Sequence, residues 1–250
     1  MVSSKINSPP NANLTNHLVD YMFVKPSLSS QEKKIILYSL QKQFLSVWRR
    51  QAVLFNKQAA LVIFNALVEK YSESQRAYHG LSHISNSLKY FEACRNEAVD
   101  PDAIEIAIWF HDCIYTFGAA DNEQKSVDWF LDKTQGQLPS ALRDRIAVLI
   151  MDTTHKTVPD TSDGRLLADV DMSSFGRPWD EYIRDSKTVC DEFREQDGAP
   201  IDSAQKDRKL VGFLQFLLSN SPIYHSPFYA KHYEQKAQEN ISKHIALLSK

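Results

Sequence analysis

The sequence predicts an all-α protein, and three observations indicate that fold class. Only 7 of the 250 residues are glycine, less than half the average usage of about 7%, and hairpin-rich folds use glycine in their turns. Apolar residues recur at helical spacing through most of the chain. Asp100 and Pro101 are typical of a helix start, with an N-cap aspartate before a proline at the first helical position. We therefore expect a helical bundle in one domain.

The predicted elements follow this periodicity in order along the chain. Residues 1–30 are expected to be a flexible leader, because three prolines interrupt any helix there. Residues 31–250 are expected to form the folded domain. Helices are predicted over 31–48, 54–71, 79–91, 101–110, 121–131, 142–150, 182–193, 210–218 and 233–248. Asp121 and Gln124 resemble a capping box for the fifth helix. The fourth helix is apolar on nearly every side over 103–110, which indicates that it is buried.

Composition excludes several classes of protein. With 29 Lys and Arg against 31 Asp and Glu, the chain lacks the basic excess of a dedicated nucleic-acid binder. Its three cysteines form no CxxC pair, which is typical of reduced thiols rather than a disulfide framework. We find no secretory signal and no run of about 18 apolar residues, so we expect a cytoplasmic protein that does not span a membrane.

The dipeptide His111-Asp112 is the first candidate for chemistry. It follows directly on the buried helix, where a carboxylate faces the negative end of the helix dipole and is also desolvated. Both effects are unfavourable unless a cation lies nearby. A divalent metal with an imidazole as co-ligand would satisfy this requirement. The simpler alternative is an arginine partner for Asp112, with His111 as an ordinary core histidine.

Histidines and aspartates elsewhere could join that dipeptide. His79 and His83 are four residues apart and would share one face of a helix. His155 follows the predicted helix 142–150. Asp169 and Asp171 are two residues apart and cannot point to the same spot on a helix, so at most one is a direct ligand. Taken singly, each has a simpler interpretation as a surface histidine or a solvated loop acid.

The ordered set His…His-Asp…Asp resembles the HD superfamily of metal-dependent hydrolases. It is most similar to a small bacterial family of predicted HD phosphohydrolases. The resemblance runs from about Trp48 to Leu248. Its matching strings are YHGLSHI (78–84), AIWFHDCIYTFGAADNEQKS (107–126), TTH (153–155), LLADVDMSSFG (166–176) and QENI (238–241).

The resemblance implies a metal site and roles for its neighbours. The implied ligands are His83, His111, Asp112 and Asp171. Asp171 is preferred to Asp169 because the family pattern places this acid before a hydrophobic residue and a serine, as at Met172 and Ser173. By similarity to cyclic-nucleotide phosphodiesterases, His79 is the candidate general acid.

Further candidates complete the predicted site. Asp112 is expected to accept a proton from the attacking water, and Glu123 to orient that water; its alternative is a favourable acid in a first helical turn. His155 and Asp169 are candidates for a second metal or for contacts to the ligands. Arg184 and Lys187 are candidates for the substrate phosphate, although a solvated helix face is the simpler interpretation.

The expected cofactor is a divalent ion, with Mn, Fe, Co, Ni or Zn favoured over Mg by two imidazole ligands. The expected substrate is a small phosphate ester or anhydride, in particular a nucleotide. Two alternatives stay open: a nucleotide-binding module without turnover and a di-iron oxygenase. The oxygenase needs extra histidines, and only His155 lies between Asp112 and Asp171. The sequence does not indicate an oligomeric state.

Overall fold

Eleven α-helices account for most of the residues that a computed structural model of the protein describes, which are 29–193, 195–196 and 199–249. This confirms the predicted all-α class. The helices are α1 (Ser30–Gln51), α2 (Lys57–Lys70), α3 (Leu81–Glu92), α4 (Pro101–Phe110), α5 (Asn122–Thr134), α6 (Ser140–Asp152), α7 (Ser162–Asp171), α8 (Trp179–Glu192), α9 (Ser203–Ser219), α10 (Pro227–His232) and α11 (Glu234–Leu248).

Short elements that the sequence did not predict join some of these helices. Two 3₁₀ turns cover Arg95–Glu97 and Met172–Gly176. Strands β1 (Glu195–Gln196) and β2 (Ala199–Pro200) pair antiparallel between α8 and α9, with Glu195 opposite Pro200. Most of the predicted leader lies outside the described residues. At its end, Ser29 caps α1 in a capping box with Glu32.

Helix α4 lies at the centre of the bundle. All residues from Ala103 to Phe110 are buried, and α1, α3, α5, α6 and α7 pack around them. Aromatic rings fill the space on the α1 side, where Trp109 meets Phe44 edge to face with 5.4 Å between ring centroids. As predicted, Asp100 caps this helix by accepting the backbone N–H of Ala103 at 3.1 Å. Because α4 is buried on all sides, the residues that directly follow Phe110, His111 and Asp112, are buried as well.

One charged side chain interrupts the apolar surface of α4. Glu105 is only 1% exposed, and its carboxylate pairs with Arg95 and, at 3.4 Å, with Arg50. Burial nevertheless raises the pKa of this carboxyl, although both arginines oppose the shift. A buried carboxylate needs such partners, because an unpaired charge in the interior is very costly.

The predicted capping box at Asp121 and Gln124 is wrong. Asp121 precedes α5 but its side chain makes no capping hydrogen bond. Instead it pairs with Lys125 one turn later at 2.9 Å, which is a favourable spacing on a helix surface.

No helix within the described ranges combines the length and the apolar character needed to cross a bilayer.

Asp163 fastens the start of α7 to the start of α4. Its carboxylate accepts the backbone N–H groups of Val99 and Asp100, both at 2.8 Å, and the residue is buried. We expect Asp163→Ala to lower the free energy of unfolding by about 2 kcal/mol, because two part-buried N–H groups lose their charged acceptor. Urea unfolding measures this, with the exposed Asp132→Ala on α5 as control. Equal small effects of the two substitutions would contradict this role.

Candidate metal centre

Four side chains from three parts of the bundle converge at the end of α4. His83 lies on α3, His111 and Asp112 directly follow α4, and Asp171 ends α7. One nitrogen or oxygen from each lies within 4.8 Å of the others, a grouping that could hold a metal ion. His111 Nε2 lies 3.2 Å from His83 Nε2, 3.2 Å from Asp112 Oδ2 and 3.3 Å from Asp171 Oδ1. The structure thus brings together the four ligands expected from the sequence.

Two side chains bind backbone carbonyl oxygens in the last turn of α4 and in the turn that follows it. Arg76 is buried and donates to the backbone oxygens of Asp112 at 2.6 Å and Cys113 at 3.1 Å. Tyr71 donates its hydroxyl to the carbonyl of Trp109 at 3.1 Å. An arginine is therefore present beside Asp112, but it binds the main-chain carbonyls of the turn that follows α4. The Asp112 carboxylate faces the cluster.

The imidazole of His111 is oriented for ligation. Its Nδ1 lies 3.0 Å from the carbonyl oxygen of Ile108. A proton on Nδ1 is fixed by that carbonyl, which leaves the lone pair of Nε2 directed at Asp112 and Asp171. Metal-binding histidines typically have a second partner of this kind.

The charges of the cluster also suit a cation. Burial alone would raise the pKa of Asp112 and of Asp171, but the neighbouring histidines, His111 foremost, together outweigh it and both pKa values fall below the ordinary range. Burial would likewise lower the pKa of His111, yet the two carboxylates raise it well above its usual value. Two carboxylates with two neutral imidazoles carry a charge of −2, which a divalent ion balances. The donor chemistry fits a transition metal or zinc.

His155 contacts the second oxygen of Asp171. Its Nε2 lies 2.8 Å from Asp171 Oδ2, whereas Oδ1 faces His83 at 3.0 Å. His155 has a backbone φ of 53°, a left-handed conformation that is uncommon for residues other than glycine and often marks functional sites. It can therefore orient Asp171 or bind a second ion at this carboxylate.

The turn after Asp171 is fixed by the C-terminal helices. Asn240 on α11 donates to the carbonyls of Phe175 and Arg177, both at 2.8 Å, which gives the string QENI a structural role. Tyr224 donates to the carbonyl of Met172 and accepts the N–H of Gly176, both at 3.0 Å. These bonds position Asp171 by holding the backbone that follows it.

His79 lies beside the cluster but not on helix α3. The helix begins at Leu81 after the N-cap Gly80, so the expectation that His79 and His83 share a helical face is wrong. A side chain at position 80 would come within 3.2 Å of the carbonyl oxygen of Tyr71, and glycine lets the chain pass close to it. The two imidazole rings still approach with centroids 5.8 Å apart.

Glu192, at the end of α8, holds His79. Its Oε2 lies 2.6 Å from His79 Nδ1, and its Oε1 accepts the backbone N–H groups of Tyr78 and His79. The ring also stacks on Tyr115, with centroids 4.2 Å apart. Burial disfavours the imidazolium, but Glu192 together with Asp112 raises the pKa of His79 above its ordinary value. His79 is thus prepared to carry a proton.

Glu123 is held near the cluster by its neighbours on α5. Asn122 bonds both the N–H and the carbonyl of Thr116 at 2.9 Å, and the Ser126 hydroxyl accepts the N–H of Ile114 at 3.1 Å. These contacts fasten the loop after Asp112 to the first turn of α5. Burial, followed by the charges of Asp112 and Asp171, raises the pKa of Glu123. The negative charges of the cluster thus act on the Glu123 carboxyl and favour its protonated form.

Asp169 has a different role from the one expected. Its carboxylate accepts the backbone N–H groups of His225 and Ser226 and the hydroxyl of Ser226 at 2.5 Å. It is not in the four-residue cluster, because residues two apart on α7 point in different directions. Asp169 binds the backbone of the segment before α10. The expectation that it contacts a second metal or the ligands is therefore wrong.

The two candidate phosphate contacts lie on the outer side of α8. Arg184 and Lys187 are both exposed. Arg184 lines a cavity of about 40 Å³ next to His83, together with Asp185. Lys187 does not line that cavity. The structure therefore brings neither guanidinium nor ammonium into the cluster.

Sequence reasoning missed Arg76 and Glu192, which support the end of α4 and His79. Glu192 is far from His79 in sequence, and a lone acid near a helix end gives no signal of burial. Arg76 precedes YHGLSHI by only a few residues, so its proximity to that string was the one available indication.

We expect the wild-type protein to bind one Mn²⁺ at the cluster. Free Mn²⁺ at 100 times its Kd should raise the free energy of unfolding by about 2.7 kcal/mol. Asp171→Ala should lose most of this gain because it removes a ligand, whereas the exposed Asp144→Ala on α6 should retain it. Unfolding in urea with and without Mn²⁺ measures the difference. A gain that survives in Asp171→Ala would place the ion elsewhere.

Comparison with known proteins adds no family assignment. No protein-family model matches the chain, and a search of curated proteins finds no relative for it. The geometry of His83, His111, Asp112 and Asp171 is therefore the basis for the proposed function below.

Proposed function

We propose that this protein is a metal-dependent phosphohydrolase of the HD type, acting on a phosphate ester or anhydride. The observation that carries the proposal is the convergence of His83, His111, Asp112 and Asp171 beside the His79–Glu192 pair. The cluster offers a place for a cation, and the pair offers a proton donor next to it. Metal-assisted hydrolysis of a phosphate ester with general acid catalysis uses both.

Residues of the chain itself can accept and donate the protons that this reaction transfers. When bound, a divalent ion acidifies water and withdraws charge from phosphoryl oxygens. Asp112 accepts the proton that water loses as its oxygen bonds to phosphorus. His79 donates the proton that the leaving oxygen takes up as its bond to phosphorus breaks. Glu192 keeps the imidazole charged and aimed, and Glu123 can accept a hydrogen bond from the attacking water.

His155 supports a two-ion version of the same site. It approaches the Asp171 oxygen that His83 does not face, so His155 and Asp171 would be the residues to hold a second ion, with Glu123 as a further acid. A di-iron oxygenase would use this arrangement as well. Elemental analysis distinguishes the two classes: two irons per chain with visible absorbance, and no phosphate release, would favour the oxygenase.

The direct test is phosphate release from nucleotides and phosphodiesters before and after chelation. We expect activity to disappear with the metal and to return when Mn²⁺, Co²⁺ or Zn²⁺ is restored. Unchanged activity after complete chelation would overturn the metal-based mechanism. Binding of nucleotides without turnover, for any metal offered, would indicate a binding module.

The His79–Glu192 pair should govern the alkaline limb of the pH profile. His79→Ala should lower kcat by a factor on the order of 10²–10⁴ through loss of the general acid. Because the pKa of His79 is raised by Glu192, activity should fall as pH rises through that pKa. Glu192→Gln removes the stabilising charge, so the alkaline limb should move to lower pH.

Profiles of kcat against pH check this, with His232→Ala as the control. His232 is exposed on α10 and its loss should leave both the rate and the profile unchanged. An alkaline limb that stays in place in Glu192→Gln would show that another group donates the proton.

A further inference from the structure

A cavity of about 350 Å³ lies between α7 and α9, beside His155. His155 connects it with the metal cluster, since it lines the cavity and its Nε2 lies 2.8 Å from Asp171 Oδ2. Met172, the residue after Asp171, lines it too. A molecule in this cavity is therefore one side chain away from Asp171. Its volume falls in the usual range of small-molecule sites, about 300–1,000 Å³.

The walls of the cavity are apolar and carry a few polar groups. Val158, Leu217 and Ile223 contribute aliphatic surface, and the polar edges come from Asp169, Asn220 and His225. That composition is typical of pockets that hold an organic ligand.

Phe216 gives this cavity an aromatic surface without a partner. The residue is 60% exposed, and among the described residues no aromatic ring packs against it. An exposed phenyl ring at the edge of a pocket is favourable for stacking a planar heteroaromatic ring, which is worth about 1–3 kcal/mol per base in nucleic-acid complexes. Phe213, one turn earlier, is instead 6.3 Å from the ring of Phe175.

Lys156 connects the cavity with the metal side. Among the described residues that line the cavity it is the one lysine or arginine. Its ammonium lies 3.4 Å from the carbonyl oxygen of Ala120, in the loop that leads to α5. Its charge also counteracts the raised pKa of Glu123. Lys156 thus provides positive charge at the cavity and close enough to Glu123 to act on it electrostatically, whereas Arg184 and Lys187 do not line the cavity.

A cavity of about 950 Å³ between α1, α3 and α4 is larger than this one. The four cluster residues line neither cavity, but only the smaller of the two is lined by His155, which contacts Asp171. The buried Glu105 in the larger cavity is already paired with Arg50 and Arg95.

We infer that the 350 Å³ cavity binds the nucleoside part of a nucleoside monophosphate, with its base stacked on Phe216 and its phosphate beside Lys156 and the cluster. This inference rests on the proposed function and names its substrate class. The base gives affinity and selectivity, Lys156 draws the phosphate towards the cluster, and His155 lies at the junction.

Adenosine 5′-monophosphate and glycerol 2-phosphate separate the two contributions, since only the first carries a base. In Mn²⁺-loaded protein, Phe216→Ala should raise KM for the nucleotide about tenfold and leave KM for glycerol 2-phosphate unchanged. Phe213→Ala on the same helix is the matched control and should change neither. Lys156→Ala should raise KM for both compounds by a factor on the order of ten, whereas Lys133→Ala on α5 should not.

Binding of adenosine to metal-free protein tests the cavity without turnover. We expect adenosine to bind, and Phe216→Ala to weaken it by the same factor of about ten, in a calorimetric titration. If adenosine does not bind, or if the two phenylalanine variants behave alike, the inference is overturned even where glycerol 2-phosphate is hydrolysed. If adenosine binding depends on Phe216 but no phosphate is released with any metal, the cavity inference stands and the hydrolase proposal fails.

Discussion

The close approach of two carboxylates, one buried and one partly buried, is the constraint on which this site depends. Asp112 and Asp171 each place an oxygen within 3.3 Å of His111 Nε2, in a part of the bundle with little access to water. Like charges so placed repel each other and lose hydration, so they persist only where positive charge compensates them. Where no ion is bound, protonation of His111 would supply part of that charge, because the two carboxylates raise its pKa. A divalent ion held with two neutral imidazoles would supply all of it. The chemistry we propose follows from this local need for a cation.

The bundle is arranged to impose that approach. Because α4 is buried on all sides, His111 and Asp112 at its end lie in the interior, and Arg76 binds the backbone carbonyls of the turn that follows. Asp171 enters from α7 and is fixed from behind by Asn240, which holds the turn that follows it. These supports lie on separate helices, so the ligand positions are a property of the whole fold. Glu192 does the same for His79 from the end of α8.

Sequence patterns predicted the parts of this arrangement that are local. The apolar run 103–110 predicted a buried helix, and its following His111 and Asp112 were identified from the cost of placing a carboxylate there. The spacing of His79 and His83 gave a wrong prediction because Gly80 is the N-cap of α3, so His79 lies before the helix. The two histidines therefore approach each other across the turn and not along a helix face. The contact between Glu192 and His79 could not be predicted, because the two residues are far apart in the sequence. Asp169 shows the same limit, since its partners at 225 and 226 belong to a segment whose packing no local pattern reveals.

The central claim is that four side chains chelate one divalent ion, and a crystal grown with Zn²⁺ tests it most directly. Anomalous scattering at the zinc edge locates the ion without assumptions about its ligands. We expect a peak about 2.0–2.2 Å from His83 Nε2, His111 Nε2 and one oxygen each of Asp112 and Asp171. A crystal in which zinc binds only at surface histidines, or in which these four side chains stay apart from any ion, would contradict the account.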